Sequence, residues 1–320
     1  MAVVQARKGL DVCLWARSEE EASQLNRSRE NTSVIPSIPL PDNLHITHSI
    51  EEALRDTTAT LWAVPSQSMR ANVELARDYL DRPMLLISAA KGLETHSNLR
   101  MSQVIAEVLD VPSTDICVLS GPNLSREIVL ELPAASVVAS GRSSLAKEAQ
   151  ELFTAPDFYV LTSDDVVGVE MGGSLKNIIA LGAGVTDGLG LGDNAKAILI
   201  TEGWAEITAL GVAMGARPDT FSGLAGLGDL VATCASPLSR NHYFGEQLAR
   251  GRSLDEIADS TPHVAEGVPT TRVACELARE LRVEMPIAGL IYGLLFEGTA
   301  PWQAAKNLMH IVARNSKKTA

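Results

Sequence analysis

Aromatic residues, paired cysteines and long apolar runs are all scarce in this 320-residue chain. Phe, Trp and Tyr make up only 4% of it, within a total of 46% hydrophobic residues, so an aliphatic core is expected. The four cysteines form no CxxC pair, which argues against a zinc ribbon and against a disulfide framework. Since no apolar run reaches about eighteen residues, a membrane-spanning helix is not expected.

Positive charge is also in short supply. The chain has 27 Lys and Arg against 39 Asp and Glu, and a net charge of -12 at pH 7. Such a chain repels nucleic acids and anionic membrane surfaces unless its basic residues cluster. We therefore expect no nucleic-acid partner and no stable membrane insertion. The first twelve residues are too short and too charged for a signal peptide, which predicts a cytoplasmic protein.

Signatures of several common sites are missing as well. There is no GxSxG elbow for a serine nucleophile and no GxGxxG turn for a dinucleotide. His45 and His48 lie in a strand-like HITH without a carboxylate cluster, so no metal site is expected. Hydride transfer fits what remains, because there a cofactor does the chemistry and the protein supplies positioning and one proton.

The hydrophobic pattern changes about halfway along the chain. Short β-branched runs alternate with helical patterns up to residue 163, which predicts an α/β domain with a doubly wound parallel sheet. The strand candidates are 11–16, 45–49, 58–64, 84–89, 116–121 and 134–140. Long amphipathic helical patterns then dominate. The prediction is an α/β domain over 1–163 followed by an all-α domain over 164–320.

The beginning of the sequence reads as the end of a helix. Residues 2–9, AVVQARKG, place two basic residues at a helix C-terminus and Gly9 at a left-handed cap, directly before a strand. The helix therefore lacks its start. In a sheet of this type the preceding strand and its Gly-rich turn would be missing too, which predicts unpaired strand edges.

Two predicted strands end in polar residues, at the edge where open parallel sheets bind ligands. SAAKGLE (88–94) places Lys91 just past one strand, and SGPNLSRE (120–127) places Gly121 and Asn123 past the next. We expect Asn123 to be able to cap the following helix. Either turn alone could be an ordinary connection, but their repeated layout favours a site.

The most informative run is VEMGGSLKNIIALGAGVTDGLGLGDNAK (169–196). Its helical pattern places Lys176 and Asn177 beside Gly172 and other small residues, so a ligand could approach the helix closely. A lysine sheltered there would have a lowered pKa and could exchange a proton with a carbonyl or hydroxyl oxygen. A solvated surface lysine is the alternative, but the flanking glycines favour the site.

A phosphate site is suggested by GLAGLGDLVATCASPLSRNHYFGEQL (223–248). It combines a Gly-rich loop, Asp229, and Ser239, Arg240 and Asn241 at a helix start. Helix-terminal amides together with an arginine form a natural phosphate cradle. The alternative is a simple N-cap by Ser239 with a solvated Arg240.

Arg17 ends the first visible strand, in LWAR (14–17). NAD-selective enzymes usually have an acidic residue at this position to hold the ribose hydroxyls, whereas an arginine suits the 2'-phosphate of NADP. An exposed arginine at a strand end is an equally good explanation from this segment alone.

Seven motifs occur along the chain in a characteristic order. They are SAAKGLE, SGPNLSRE, EMGGSLKN, GLGLGDNAKA, GLAGLGDL, SRNHYFG and VAEGVPT. In order and spacing they closely resemble the bacterial NAD(P)-dependent glycerol-3-phosphate dehydrogenase family, over essentially the whole chain. The resemblance implies a Rossmann-like domain followed by a helical domain, NADP or NAD as cofactor, and a homodimer. It also implies reversible reduction of a small phosphorylated substrate, dihydroxyacetone phosphate, to sn-glycerol 3-phosphate for phospholipid synthesis.

The resemblance also implies roles for individual residues. Lys176 would be the catalytic general acid and base, in contact with the substrate. The other substrate-binding residues would be Lys91, Gly121, Asn123, Asp229, Ser239, Arg240 and Asn241. The cofactor-binding residues would be Arg17, Lys91, Ser125, Arg240, Val264 and Glu266. No residue is assigned to a metal.

This chain departs from the family pattern in a few places. Asn123 stands where Ser or Thr is usual, and Ser125 and Ser174 stand where Ala is usual; these small or polar residues should be tolerated. Family members begin with a strand and a GxGxWGTALA-like turn, whereas this chain begins inside the helix that follows. We therefore expect the Rossmann-like domain to lack its first strand and pyrophosphate cradle, and the true translation start to lie upstream.

Two other functions remain open from the sequence. One is another two-domain dehydrogenase, of the 3-hydroxyacid or 6-phosphogluconate type. The other is a truncated, non-catalytic remnant, which only the absent Gly-rich turn supports.

Overall fold

The computed structural model describes residues 1–80, 83–236, 238–261 and 264–316. They divide into two compact units. Unit 1 consists of Met1–Val64, Ser68–Ala89 and Ser102–Val166. Unit 2 consists of Pro65–Gln67, Ala90–Met101 and the described chain from Val167 onwards. Two short segments from the first half of the sequence thus belong to unit 2, which the predicted division into 1–163 and 164–320 does not include.

All six predicted strands are present, and a seventh follows them. Within the described residues the strands are β1 (Val12–Trp15), β2 (Leu44–Thr47), β3 (Ala59–Trp62), β4 (Leu85–Ser88), β5 (Ile116–Ser120), β6 (Ala134–Ala139) and β7 (Phe158–Ser163). Strand β7 was not predicted. Its alternation is hard to recognise because the exposed positions are also apolar: Tyr159 is 56% and Leu161 42% exposed.

The strands form two sheets within the described residues. β1 and β2 pair in parallel. The other sheet has the order β3-β4-β5-β6-β7, with β3, β4 and β5 parallel. β6 pairs antiparallel with β5 and parallel with β7, so the predicted parallel arrangement holds for β3, β4 and β5 but reverses at β6. Residues 121–133, which connect β5 to β6, contain only a five-residue helix, and antiparallel neighbours need no long crossover.

Helices cover the sheets of unit 1 and build most of unit 2. In the first half the described helices are α1 (Ala2–Arg7), α2 (Glu19–Ser28), α3 (Ile50–Leu54), α4 (Met69–Ala76), α5 (Met101–Leu109), α6 (Ser125–Val129) and α7 (Ser143–Phe153). In the second half they are α8 (Val166–Gly188), α9 (Gly192–Ala213), α10 (Pro218–Phe221), α11 (Asp229–Ala235), α12 (Arg240–Ala249), α13 (Leu254–Asp259), α14 (Gly267–Leu281), α15 (Pro286–Phe296) and α16 (Pro301–Ser316). The predicted helix end before β1 is confirmed, with Gly9 at φ +85°. None of the described helices is long and apolar enough to cross a bilayer.

Helix α8 is the centre of unit 2. Every residue from Gly168 to Thr186 is buried, as expected for a helix enclosed on all sides. Leu175 and Ile178 pack with residues such as Leu210 and Ile287 in one hydrophobic core. A polar residue in this helix can therefore face only other parts of the protein or a bound ligand.

Candidate active site

Lys176 is a charged residue inside the buried helix α8. Only 5% of its surface is exposed. Its Nζ donates hydrogen bonds to Oδ1 of Asp229 and to Oγ1 of Thr233. Burial and, next, the positive charge of Lys91 lower the pKa of Lys176 to about 8, against the opposing Asp229 carboxylate. The sheltered environment predicted for this lysine is present, and it allows proton exchange close to neutral pH.

Asp229 lies between two lysines. Its Oδ2 is 2.6 Å from the Nζ of Lys91, and its Oδ1 faces Lys176. The side chains of Asp229 and Lys91 are 2% and 20% exposed. Thr233, one turn along α11, donates its hydroxyl to the Asp229 carbonyl at 2.7 Å, so its oxygen can accept from Lys176. Two ammonium groups thus converge on one buried carboxylate, an arrangement able to bind and protonate a substrate oxygen.

A π-helical turn places Asp229 at the start of α11. The turn spans Leu224–Gly228, where a Gly-rich loop was predicted, and such turns are frequent at functional sites. A Cβ at Gly172 would lie 2.8 Å from the carbonyl oxygen of Ala225 in this turn. The expected approach of a ligand at Gly172 is therefore wrong, because the backbone of the turn occupies that space.

Asn241 connects three helices of unit 2. It is 7% exposed, and its Nδ2 donates to Oδ1 of Asn177 in α8 at 2.9 Å. Its Oδ1 accepts the backbone N–H of Gly267, at the start of α14, at 2.9 Å. Asn177 in turn donates to the carbonyl of Lys91 at 3.4 Å. The side chain of Asn241 therefore holds the first turn of α12 in place beside Lys91, Lys176 and Asp229, here called the lysine cluster.

Ser239 and Arg240 stand at the start of α12, as predicted. Ser239 is the N-cap, and its hydroxyl accepts the backbone N–H of His242 at 3.2 Å. The alternative interpretation of Ser239 as a capping residue therefore describes what its side chain does here. Arg240 is exposed. The arginine and the amides of the first turn form a local positive region in an acidic protein.

Glu266 is half-buried at the N-cap position of α14. Its carboxylate accepts the backbone N–H of Ser66 at 2.8 Å and also the Ser66 hydroxyl. Burial raises the pKa of Glu266, against the opposing effects of the Ser66 hydrogen bonds and the Arg240 charge. A Cβ at Gly92 would lie 2.6 Å from Cβ of Ser66, so a side chain there would force Ser66 to shift. Val264, close by in sequence, is 43% exposed.

The remaining predicted residues belong to unit 1. Gly121 follows β5 with φ +143°, and a Cβ there would lie 3.0 Å from Cα of Ser136. Asn123 does not cap α6, contrary to expectation: the N-cap is Leu124, and Asn123 Oδ1 instead accepts the Ser136 hydroxyl at 2.6 Å. Ser125 is the first residue of α6.

Arg17, also in unit 1, lies two residues beyond the end of β1. Its side chain is 84% exposed, and its Nε lies 3.4 Å from the Glu21 carboxylate. An ion pair this exposed contributes little to stability. The guanidinium therefore presents its charge to solvent.

Within unit 2 the structure thus brings together Lys91, Lys176 and Asp229, as predicted. Sequence reasoning missed Thr233 and Ser66. Thr233 follows Asp229 by four residues and would share its face on a helix, but the segment was interpreted as a loop. Ser66 stands 200 positions before Glu266, and the sequence offers no local signal for that contact.

Comparison with known proteins places these features in a family. Residues 1–146 match the N-terminal model of NAD-dependent glycerol-3-phosphate dehydrogenase, and residues 165–306 match its C-terminal model. A glycerol-3-phosphate dehydrogenase [NAD(P)+] of Dehalococcoides mccartyi is 53% identical over 97% of this chain and 87% of its own length. That of Streptomyces avermitilis is 47% identical over 99% of this chain and 94% of its own length.

A solved structure agrees with the sequence matches. The crystal structure of glycerol-3-phosphate dehydrogenase from Coxiella burnetii superimposes with a TM-score of 0.91 at 35% identity. The match covers 96% of this chain and 94% of that one. The similarity therefore extends over both units.

Proposed function

Because the chain belongs to the NAD-dependent glycerol-3-phosphate dehydrogenase family, we propose that it reduces dihydroxyacetone phosphate reversibly to sn-glycerol 3-phosphate with NAD(P)H. The observation that carries the proposal is the buried Lys176, whose pKa of about 8 allows it both to donate and to accept a proton. Family membership alone does not assign a role to a residue. The geometry around this lysine supports one.

Lys176 is the general acid and base of the proposed reaction. In reduction its ammonium donates a proton to the carbonyl oxygen, and in oxidation its neutral amine accepts the hydroxyl proton. Bound NAD(P)H supplies the hydride to C2 of the substrate. Reduction therefore consumes one NAD(P)H and one proton for each molecule of product. Asp229 and Thr233 hold the Nζ of Lys176 in place between turnovers.

The substrate is a small anion, and positive groups of this chain would bind it. Arg240 and the free amides at the start of α12 would hold the phosphate. Lys91 and Asp229 would bind the hydroxyl oxygens, with the capped first turn of α12 kept in place by Ser239 and Asn241. Gly121 and Asn123 of unit 1 are proposed to contact the substrate as well.

Two buried serine hydroxyls and one exposed arginine of unit 1 support a dinucleotide site. β4 and β5 end on Ser88 and Ser120, whose buried hydroxyl groups have no hydrogen-bond partner within the described part of the chain. Such groups cost free energy, and a polar ligand at this edge of the parallel strands would satisfy them. The exposed Arg17 suits the 2'-phosphate of NADP. The other proposed cofactor residues are Lys91, Ser125, Arg240, Val264 and Glu266.

The test follows NADPH or NADH oxidation by the purified chain in parallel assays. One contains dihydroxyacetone phosphate, and the others contain the oxidation products of a 3-hydroxyacid and of 6-phosphogluconate. Turnover with dihydroxyacetone phosphate alone supports the proposal. Turnover with another substrate would favour another two-domain dehydrogenase. A folded chain that turns over none of them would favour the non-catalytic alternative.

A variant at Arg240 tests the phosphate site separately. Arg240→Leu removes a charge-assisted hydrogen bond of about 1.5–3 kcal/mol, so the KM for dihydroxyacetone phosphate should rise about 10- to 150-fold. Arg250→Leu, at the other end of α12, is the matched control and should leave KM unchanged. An equal rise in both variants would argue against a phosphate site at the start of the helix.

The proposed setting is the cytoplasm, where the product would feed glycerophospholipid synthesis, and the proposed assembly is a homodimer. The resemblance in sequence to family members supports both points. Sedimentation equilibrium decides the assembly, and fractionation of the source cells decides the location.

A further inference from the structure

Two long hydrogen bonds connect α8 to the backbone around Lys91. Residues 90–101, here called the Lys91 segment, belong to unit 2 and lie against α8. Asn177 Nδ2 donates to the carbonyl of Lys91 at 3.4 Å, and Ser174 Oγ donates to that of Gly92 at 3.3 Å. Both distances exceed those of strong hydrogen bonds. Gln67 holds the middle of the segment, because its Nε2 donates to the Leu93 carbonyl at 2.7 Å and its Oε1 accepts the Thr95 N–H at 3.0 Å.

A buried ion pair holds the other end of the segment. Arg100 Nη1 lies 2.6 Å from Oε2 of Glu170, and the two side chains are 12% and 1% exposed. Glu170 precedes Ser174 by one turn, so both contact the segment from the same face of α8. Desolvation costs several kcal/mol per ion, so a buried pair is weak evidence for stability. Fixing the position of the segment is the better explanation.

The two ends of the segment are directly connected. Leu93 and Arg100 form an antiparallel bridge, and the N–H of Glu94 donates to the carbonyl of Leu99 at 2.9 Å. Leu93 is fully buried in the core of unit 2. Lys91 is only two residues from this bridge, a span of about 7 Å at most. A restraint on Arg100 therefore acts on the position of Lys91.

We propose that Arg100 and Glu170 are positioning residues for the reaction proposed above. Their ion pair fixes the Lys91 segment on α8. It thereby holds the Lys91 ammonium against Asp229, on the side opposite Lys176. The inference rests on the proposed function, but its geometry is independent of any bound molecule.

Loss of the Arg100–Glu170 ion pair, here called the anchor, should change the pKa of Lys176. If Lys91 moves away, its repulsion of the Lys176 ammonium weakens, and the Asp229 carboxylate becomes available to Lys176 alone. Both changes favour the ammonium and raise the pKa of Lys176. The groups that face Lys176 in the described residues are Lys91, Asp229, Thr233 and Cys234.

The first experiment is the pH dependence of kcat/KM for reduction in the full-length Glu170→Gln variant. Reduction needs the Lys176 ammonium, so its high-pH limb should move upward by about 0.5–1 unit, part of the 1–3 units that a charge within about 4–6 Å produces. Glu107→Gln is the matched control, because it breaks the Arg70–Glu107 pair of 2.7 Å in unit 1. The high-pH limb of kcat/KM should be the same in this control variant as in the wild type.

A second variant guards against misfolding. Arg100→Met combined with Glu170→Leu removes both charges, and apolar replacement of a buried pair is often neutral or stabilising. The double variant should remain folded and show the same upward shift. An unchanged limb in a folded variant would overturn the inference, even if overall activity fell.

A second readout separates this inference from the proposed function. The ¹³Cε signal of Lys176, in selectively labelled protein without cofactor and assigned by its loss in Lys176→Met, reports the titration directly. Its midpoint should rise in both anchor variants. If the wild type does not reduce dihydroxyacetone phosphate, the proposed function fails while this titration still decides the positioning role. An unmoved midpoint would overturn that role.

Discussion

Asp229 and Glu206 are both buried carboxylates of unit 2, but they face different partners. Asp229 is 2% exposed and lies between two lysine ammonium groups. Glu206, in α9, is 8% exposed and accepts two backbone N–H groups at the start of α15, at 2.6 and 3.1 Å. Asp229 is compensated by two lysine side chains, and Glu206 by the backbone of a helix terminus.

This difference in partners distinguishes a carboxylate that can take part in a reaction from one that has a structural role. A helix terminus offers about half a unit of positive charge. At Glu206 the effect of burial is larger than that of the two N–H groups and raises the pKa to about 8. Lys176, which pairs with Asp229, has a pKa lowered to about 8 and can release or take up a proton, so this cluster can take part in a reaction. Burial of an acid is therefore a poor guide to catalysis unless its partners are named.

The largest effect on activity is expected when the proton donor beside Asp229 is removed. Lys176→Met should lower kcat about 10²- to 10⁴-fold, the usual contribution of a general acid or base. The melting temperature should fall only modestly, because Asp229 loses one partner but keeps the Lys91 ammonium as its counter-charge. A variant within tenfold of the wild-type kcat would place proton transfer elsewhere.

Asp229→Asn tests the carboxylate itself. The buried Lys176 and the partly buried Lys91 then lose their counter-charge, so the free energy of unfolding should fall by about 3–5 kcal/mol. The pKa of Lys176 should fall below its value of about 8, because burial and the Lys91 charge act unopposed. The high-pH limb of reduction should therefore move to lower pH, opposite to the shift expected for Glu170→Gln. A shift upward would contradict the assignment of charges.

Glu206→Gln tests the structural carboxylate through pH. Since folding raises the pKa of Glu206, its contribution to stability is full below its ordinary pKa of 4.5 and is lost as pH rises through about 8. The wild type should lose up to about 4 kcal/mol between pH 5 and 8 from this group, at about 1.4 kcal/mol per unit. Denaturant unfolding of the variant should show a flatter pH dependence. The high-pH limb of kcat/KM for reduction should be the same in this variant as in the wild type.

Gly172→Ala gives the smallest expected effect. It tests how closely α8 packs against the turn that precedes Asp229. The new methyl group would press on the Ala225 carbonyl, at an expected cost of about 1–3 kcal/mol in unfolding free energy. Gly289→Ala in α15 is the matched control, because nothing lies within 4 Å of its Cβ position. Chemical denaturation should show that this control is neutral or stabilised by up to about 1 kcal/mol. Equal destabilisation in both variants would contradict a specific clash with the Ala225 carbonyl, because helix propensity favours alanine at both positions.

Local pattern was enough to predict much of the fold. The buried β-branched runs predicted six strands, and Gly9 predicted the end of α1 correctly. Two failures, the missed π-helical turn and the missed strand β7, share one cause. Glycines in residues 223–228 and apolar residues on the exposed face of β7 removed the local signal, and contacts from distant residues decided the structure there.

The sequence by itself determined the motifs and the family, because both are properties of residue order: SAAKGLE and EMGGSLKN are recognisable without coordinates. It also predicted a sheltered lysine at position 176. Only the tertiary structure decided that the Lys91 segment packs with unit 2, that Thr233 joins the lysine cluster, and that Glu170 pairs with Arg100. These features depend on burial and on contacts between residues far apart in sequence, and such contacts leave no periodic or local signal.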